Sequence, residues 1–160
     1  MDPLSIIAGS IAVLGASGKV VKGLTKLTNL RNVPDLLLAV VNEVSDLSLI
    51  VQEIRSIFGQ DTIHGILPPA ATSTLNQLLD RAQAVLLDLD QIVNYRLLLP
   101  PKSDGEITVN RSAWLSEESH VLRLQGRLRT IRLDIVAGLA TLNLSVSPLD
   151  LSMILILTRL

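Results

Sequence analysis

The chain has 160 residues, 48% of them hydrophobic but only 2% aromatic, with a formal net charge of −1. That length suits one domain with its own core, and near-neutrality removes the basic footprint expected of a nucleic-acid binder. The absence of cysteine excludes disulfides, thiolate nucleophiles and cysteine-based metal sites, and suits an intracellular setting.

Apolar mass carried by Leu, Ile, Val and Ala is the palette of helices packed on helices. The charge is unevenly spread: net +3 over residues 1–33, −6 over 34–110 and +2 over 111–160. A mean hydropathy of +0.46 is high for a soluble domain and leaves apolar surface for something besides the core.

Asp2 and Pro3 supply an N-cap and a first-turn proline, and no proline follows until Pro34. A first helix is therefore predicted over about residues 3–31. It carries no charge from Leu4 to Gly18. Its bulky residues point all round the circumference, the pattern of a helix enclosed by neighbours or by lipid. Ala8, Ala12 and Ala16 recur at four-spacing beside Gly9, Gly15 and Gly18, as in closely packed helices. The uncharged run is roughly 22 Å long, short of a bilayer core of roughly 30 Å unless it recruits residues 19–24 with snorkelling lysines.

From Leu37 the apolar positions 37, 40, 44, 47, 51, 54 and 58 alternate steps of three and four, a heptad seam. The loop "GQDTIHGILPP" ends it. A third seam runs through 75, 78, 82, 85, 89 and 92 to "LPPKSDGEITVN"; a fourth runs from Trp114 through 121, 124, 128, 131 and 135 to Leu142, interrupted by Glu117 and Gly138. The segment 147–160, "SPLDLSMILILTRL", is apolar, too short to span a bilayer, and fits either a short final helix or a linker. The expected fold is all-α: an up-and-down bundle of four long helices over residues 1–146, plus the short C-terminal segment.

Catalytic motifs are thin. "GASGK" fails as a phosphate loop because Val13 stands at the first glycine position and Val20 at the hydroxyl position. Asp2 and Pro3 replace the basic start of a signal peptide. His64 and His120 lack a third metal ligand, with Glu117 one turn before His120. Asp88 and Asp90 point to different sides of their helix. Arg123, Arg127, Arg129 and Arg132 read as structural or solvated cations, with an anionic lipid or partner surface as the other use. Neither an enzyme nor a cofactor is expected.

The opening "MDPLSIIAGSIAVLGASGKVVKGL", then "VPDLLLAVVNEVSDLSLIVQEI" and "AWLSEESHVLRLQGRLRTIRLDIVAGLATL" resemble the fungal HeLo-like and SesA-like N-terminal domains. Those domains precede nucleotide-binding STAND modules and ankyrin repeats, and are similar to the four-helix bundle of necroptotic pseudokinases. The resemblance spans about residues 1–144; "SMILILTRL" lies outside it. It implies a cell-death effector of fungal innate immunity or heterokaryon incompatibility, cytoplasmic until activation moves it to the plasma membrane. There the bundles would homo-oligomerise and release the first helix into the bilayer. Partners would be plasma-membrane lipids and a STAND receptor or a nucleotide-binding module of the same chain, with no nucleic acid.

Carried over by position, Leu4, Ile6, Ile7, Gly9, Ile11, Val13, Leu14, Gly15 and Gly18 would insert, and Lys19, Lys22 and Lys26 would meet lipid headgroups. The alternative is an interaction or oligomerisation adaptor whose first helix stays buried.

Overall fold

Each helix grows from one aliphatic stripe, and the computed structural model describes residues 3–28, 35–59, 69–98 and 110–145. These form α1 (Pro3–Thr28), α2 (Asp35–Phe58), α3 (Pro69–Asp90) and α4 (Arg111–Ser145), with a π-helical stretch Gln91–Leu97 continuing α3. The cap at Asp2, His64 and the segment 147–160 lie outside the described residues.

Every seam position expected in α2 and α3 is buried, from Leu37 to Phe58 and from Leu75 to Ile92. Burial of such side chains contributes about 1.5–3 kcal/mol each. Asp35 opens α2 at the end where the helix dipole favours an acid. In α4, Asn110 is the N-cap: its Oδ1 accepts from the Ala113 amide at 3.1 Å. The Asn110 amide also donates to the Leu97 carbonyl at 2.9 Å, which brings the start of α4 beside the end of the π stretch.

The seam spacing predicts an uninterrupted α-helix here, and the structure departs from it. Continuing the α-helical steps 85, 89, 92 would turn position 96, an arginine, toward the core. The wider turn instead buries Val93 and Leu97 and leaves Arg96 to pair with Glu117 on α4. Glu117 thereby fills its place in the α4 seam as a buried, partnered carboxylate.

The four helices form the expected all-α bundle, with α4 starting beside the end of the π stretch and packing back along α3. Contacts join α1 to α2 and α3, and α4 to α2 and α3, so α1 and α4 occupy opposite corners. α1 and α3 run parallel: Asn76 Nδ2 donates to Ser5 Oγ at 2.6 Å near one end, and Asn94 Nδ2 reaches the Lys19 carbonyl at 3.5 Å near the other. Close approach along this line uses two glycines. A Cβ on Gly9 would stand 3.3 Å from Leu79, and one on Gly23 would stand 2.6 Å from Val93 Cγ1.

Val93 is β-branched and fully buried, so it cannot swing aside. Gly23→Ala is expected to lose about 1–3 kcal/mol of stability through overpacking. Gly15→Ala, with nothing within 4 Å of the new Cβ, should gain about 0.5–1 kcal/mol from helix propensity. Urea unfolding of the two variants against the wild type checks both signs.

Candidate functional site

α1 presents two faces. The core face is a seam of its own: Ile6, Ser10, Val13, Ser17, Val20, Leu24 and Leu27 at alternating steps of four and three, all buried. The two serines interrupt this seam as a run of bulky residues, and only its three-four spacing marks it in the sequence. The opposite face carries Leu4, Ala8, Ile11, Gly15 and Gly18, and then Lys19, Lys22 and Lys26, all exposed.

The helix is therefore not enclosed on all sides, as its uncharged run suggested: Leu4 is 63% and Ile11 50% exposed. Nor do Ala8, Ala12 and Ala16 line one contact. Steps of four advance about 40° beyond a full turn, so Ala8 is exposed, Ala12 half-buried and Ala16 buried. Of the residues carried over by resemblance, Ile6 and Val13 are in the core, while Ile7, Gly9 and Leu14 are half-buried. Leu4, Ile11, Gly15 and Gly18 share the outward face with the three lysines.

How α1 is held differs from how α4 is held. No ion pair among the described residues involves α1, and its lysines have no acidic partner there. Ser10 and Ser17 bury their hydroxyls without a hydrogen-bond partner, each a desolvation cost of about 1–3 kcal/mol. By contrast, Arg132 Nε on α4 donates to Glu43 Oε1 on α2 at 2.6 Å, with Asp46 at 3.9 Å. The Glu43 carboxylate raises the Arg132 pKa further. By length and composition, Leu4–Leu27, with a mean hydropathy of 1.8, is the one helix among the described residues that could cross a membrane.

The remaining candidates fall into structural places. Gly18 and Lys19 lie inside continuous α1, where backbone amides are spent on helix bonds, so "GASGK" forms no phosphate cradle. His120 Nδ1 sits 3.3 Å from Glu117 Oε2 on the half-buried side of α4. No group of three His, Asp or Glu side chains among the described residues could hold a metal. A 440 Å³ hollow beside the π stretch is lined by Leu87, Asp90, Gln91, Tyr95 and Arg96, with Asp90 engaged by Asn94. Of the four arginines, Arg132 is structural, while Arg123, Arg127 and Arg129 are exposed.

The Arg96 hydrogen bond, aided by His120 and opposed by burial, holds the Glu117 carboxyl below its ordinary pKa. A carboxyl with a lowered folded pKa adds stability that is complete above its unfolded value, about 4.3, and is lost as pH falls through the folded value. Glu117→Gln should therefore be less stable than the wild type at neutral pH. The two should converge in acid, as read by thermal unfolding across that range. Ser10→Ala and Ser17→Ala should each raise stability by about 1 kcal/mol by removing an unpaired buried hydroxyl, measured by urea unfolding. No protein-family model, curated protein or solved structure matches the chain.

Proposed function

We propose that this domain is a cell-death effector of the fungal HeLo-like kind, acting by self-association and insertion of α1 into the plasma membrane. The observation that carries the reading is α1 itself. It is uncharged from Leu4 to Gly18, is held without an ion pair among the described residues, and sits over two unpaired hydroxyls. Its outward face already joins Leu4 and Ile11 to a lysine margin. Leu4, Ile6, Ile7, Ile11, Val13 and Leu14 would enter the acyl region, Gly9, Gly15 and Gly18 would permit close helix approach, and Lys19, Lys22 and Lys26 would meet anionic headgroups.

In this reading the domain is cytoplasmic at rest, and a STAND receptor or a nucleotide-binding module of the same chain would gather copies at the membrane. A second reading, an adaptor whose α1 stays in the bundle, is favoured by exposed leucines on α4, Leu115 and Leu122 among them.

Dye release from anionic liposomes separates the two. The purified domain, oligomerised by a fused coiled coil, should permeabilise them, whereas Ile11→Glu and Leu4→Glu should not. Both positions are exposed, so circular dichroism should show both variants folded. A folded, oligomerised wild type that leaves the vesicles sealed overturns the insertion reading, and so does leakage that survives both charges.

A further inference from the structure

α4 carries a second stripe, opposite its core seam. Leu115, Ser119, Leu122, Gly126, Arg129, Leu133, Val136 and Ala140 follow steps of four and three along its outward face, all exposed and with a single charge among them. Four of them are large apolar residues left in solvent: Leu115, Leu122, Leu133 and Val136. Arg129 lies in the stripe, Arg123 and Arg127 flank it, and none of the three has an ion-pair partner among the described residues.

Glu118 and Asp134 are also exposed at the margins of the stripe, so two such faces would gather six guanidinium groups against four carboxylates, a net positive charge that leaves the stripe a poor complement to itself. The outward face of α2 has the complementary character. Leu38, Leu49 and Ile57 are exposed there, beside Asp35, Asp46 and Glu53. Leu38 and Leu49 are eleven residues apart, as are Leu122 and Leu133, and each pair spans about 16.5 Å of helix. Setting Leu122 on Leu38 and Leu133 on Leu49 brings Arg129 level with Ser45 and with Asp46, whose half-exposed carboxylate also lies 3.9 Å from Arg132 of its own chain.

We infer that the outward face of α4 docks on the outward face of α2 of a second copy of this chain. The contact is head-to-tail, so each copy keeps one free donor face and one free acceptor face, and growth continues to a ring or a filament. A bilayer is the less suited occupant: α4 sits at the corner opposite α1, so a flat membrane facing α1 leaves the α4 stripe pointing away. The inference deepens the self-association step of the proposed function and rests on that reading only there. Its test is run in solution without lipid, so a failure to assemble and a failure to permeabilise vesicles are read separately.

Leu122→Glu and Leu49→Glu alter residues 56% and 62% exposed, and circular dichroism checks that both variants fold; Leu122→Gln and Leu49→Gln serve where the charge disturbs folding. In sedimentation velocity the wild type should associate beyond a dimer as its concentration rises. Each variant alone should be weakened by at least about tenfold. An equimolar mixture of the two should form a dimer and stop there, because it pairs one intact α4 face with one intact α2 face. Any of three results overturns the inference: a monomeric wild type, variants that associate as the wild type does, or a mixture that stays monomeric. A monomeric wild type whose liposome binding is lost in Leu122→Glu would reassign the stripe to lipid.

Discussion

The seat of α1 between α2 and α3 is the constraint on which the rest of the bundle depends. With almost no aromatic side chains, the core is filled by branched aliphatics, which pack densely only when helices approach closely. α1 meets that demand with glycine at two tight crossings, Gly9 against Leu79 on α3 and Gly23 against Val93 in the π stretch. α2 and α3 make no comparable contact with each other, so the side chains they turn inward are covered largely by α1. A change in its fit is felt on both neighbours at once.

The π stretch is where this fit meets the far side of the molecule. By widening one turn, it aims Val93 and Asn94 at α1 and Arg96 at α4, and keeps Leu97 in the core. An uninterrupted α-helix would have put Arg96 where Leu97 is. The cost of a buried, unpaired guanidinium is the physical reason for the irregular turn.

Most of the fold was legible because α2, α3 and α4 keep their three-four spacing almost unbroken, and that spacing alone dictates which face is buried. α1 was harder to read. Its core seam passes through Ser10 and Ser17, residues that a reading based on apolar bulk skips, and its outward face is as apolar as its inward one. Composition could show that the helix lacks charge, but not which half of it meets solvent. The π stretch left one faint trace, an arginine at a seam position with a leucine next to it. The neighbour order, α2 and α3 at opposite corners, left none, because periodicity records which face of a helix is buried and not what buries it. The outer stripe of α4 was visible as spacing, but only exposure distinguishes it from core.

The energetics of α1 also limit how the proposed insertion can proceed. Ile6, Val13, Val20, Leu24 and Leu27 are all essentially inaccessible, and re-exposing five such side chains to water costs on the order of 10 kcal/mol. That is comparable to the entire stability of a small domain. The two unpaired serines offset part of this, but not most of it, so α1 does not leave the bundle in water at any useful frequency. Release has to be coupled to an acceptor that takes the same aliphatic surface out of water as it is uncovered. In the proposed mechanism a bilayer would do this for α1, but would do nothing for the inward faces that α2 and α3 then expose. Those faces need a second cover, either collapse onto each other or another copy of the chain. The proposed insertion would therefore depend on covering those inward faces, by collapse or by another copy, in addition to any contact made through the outward faces of α2 and α4.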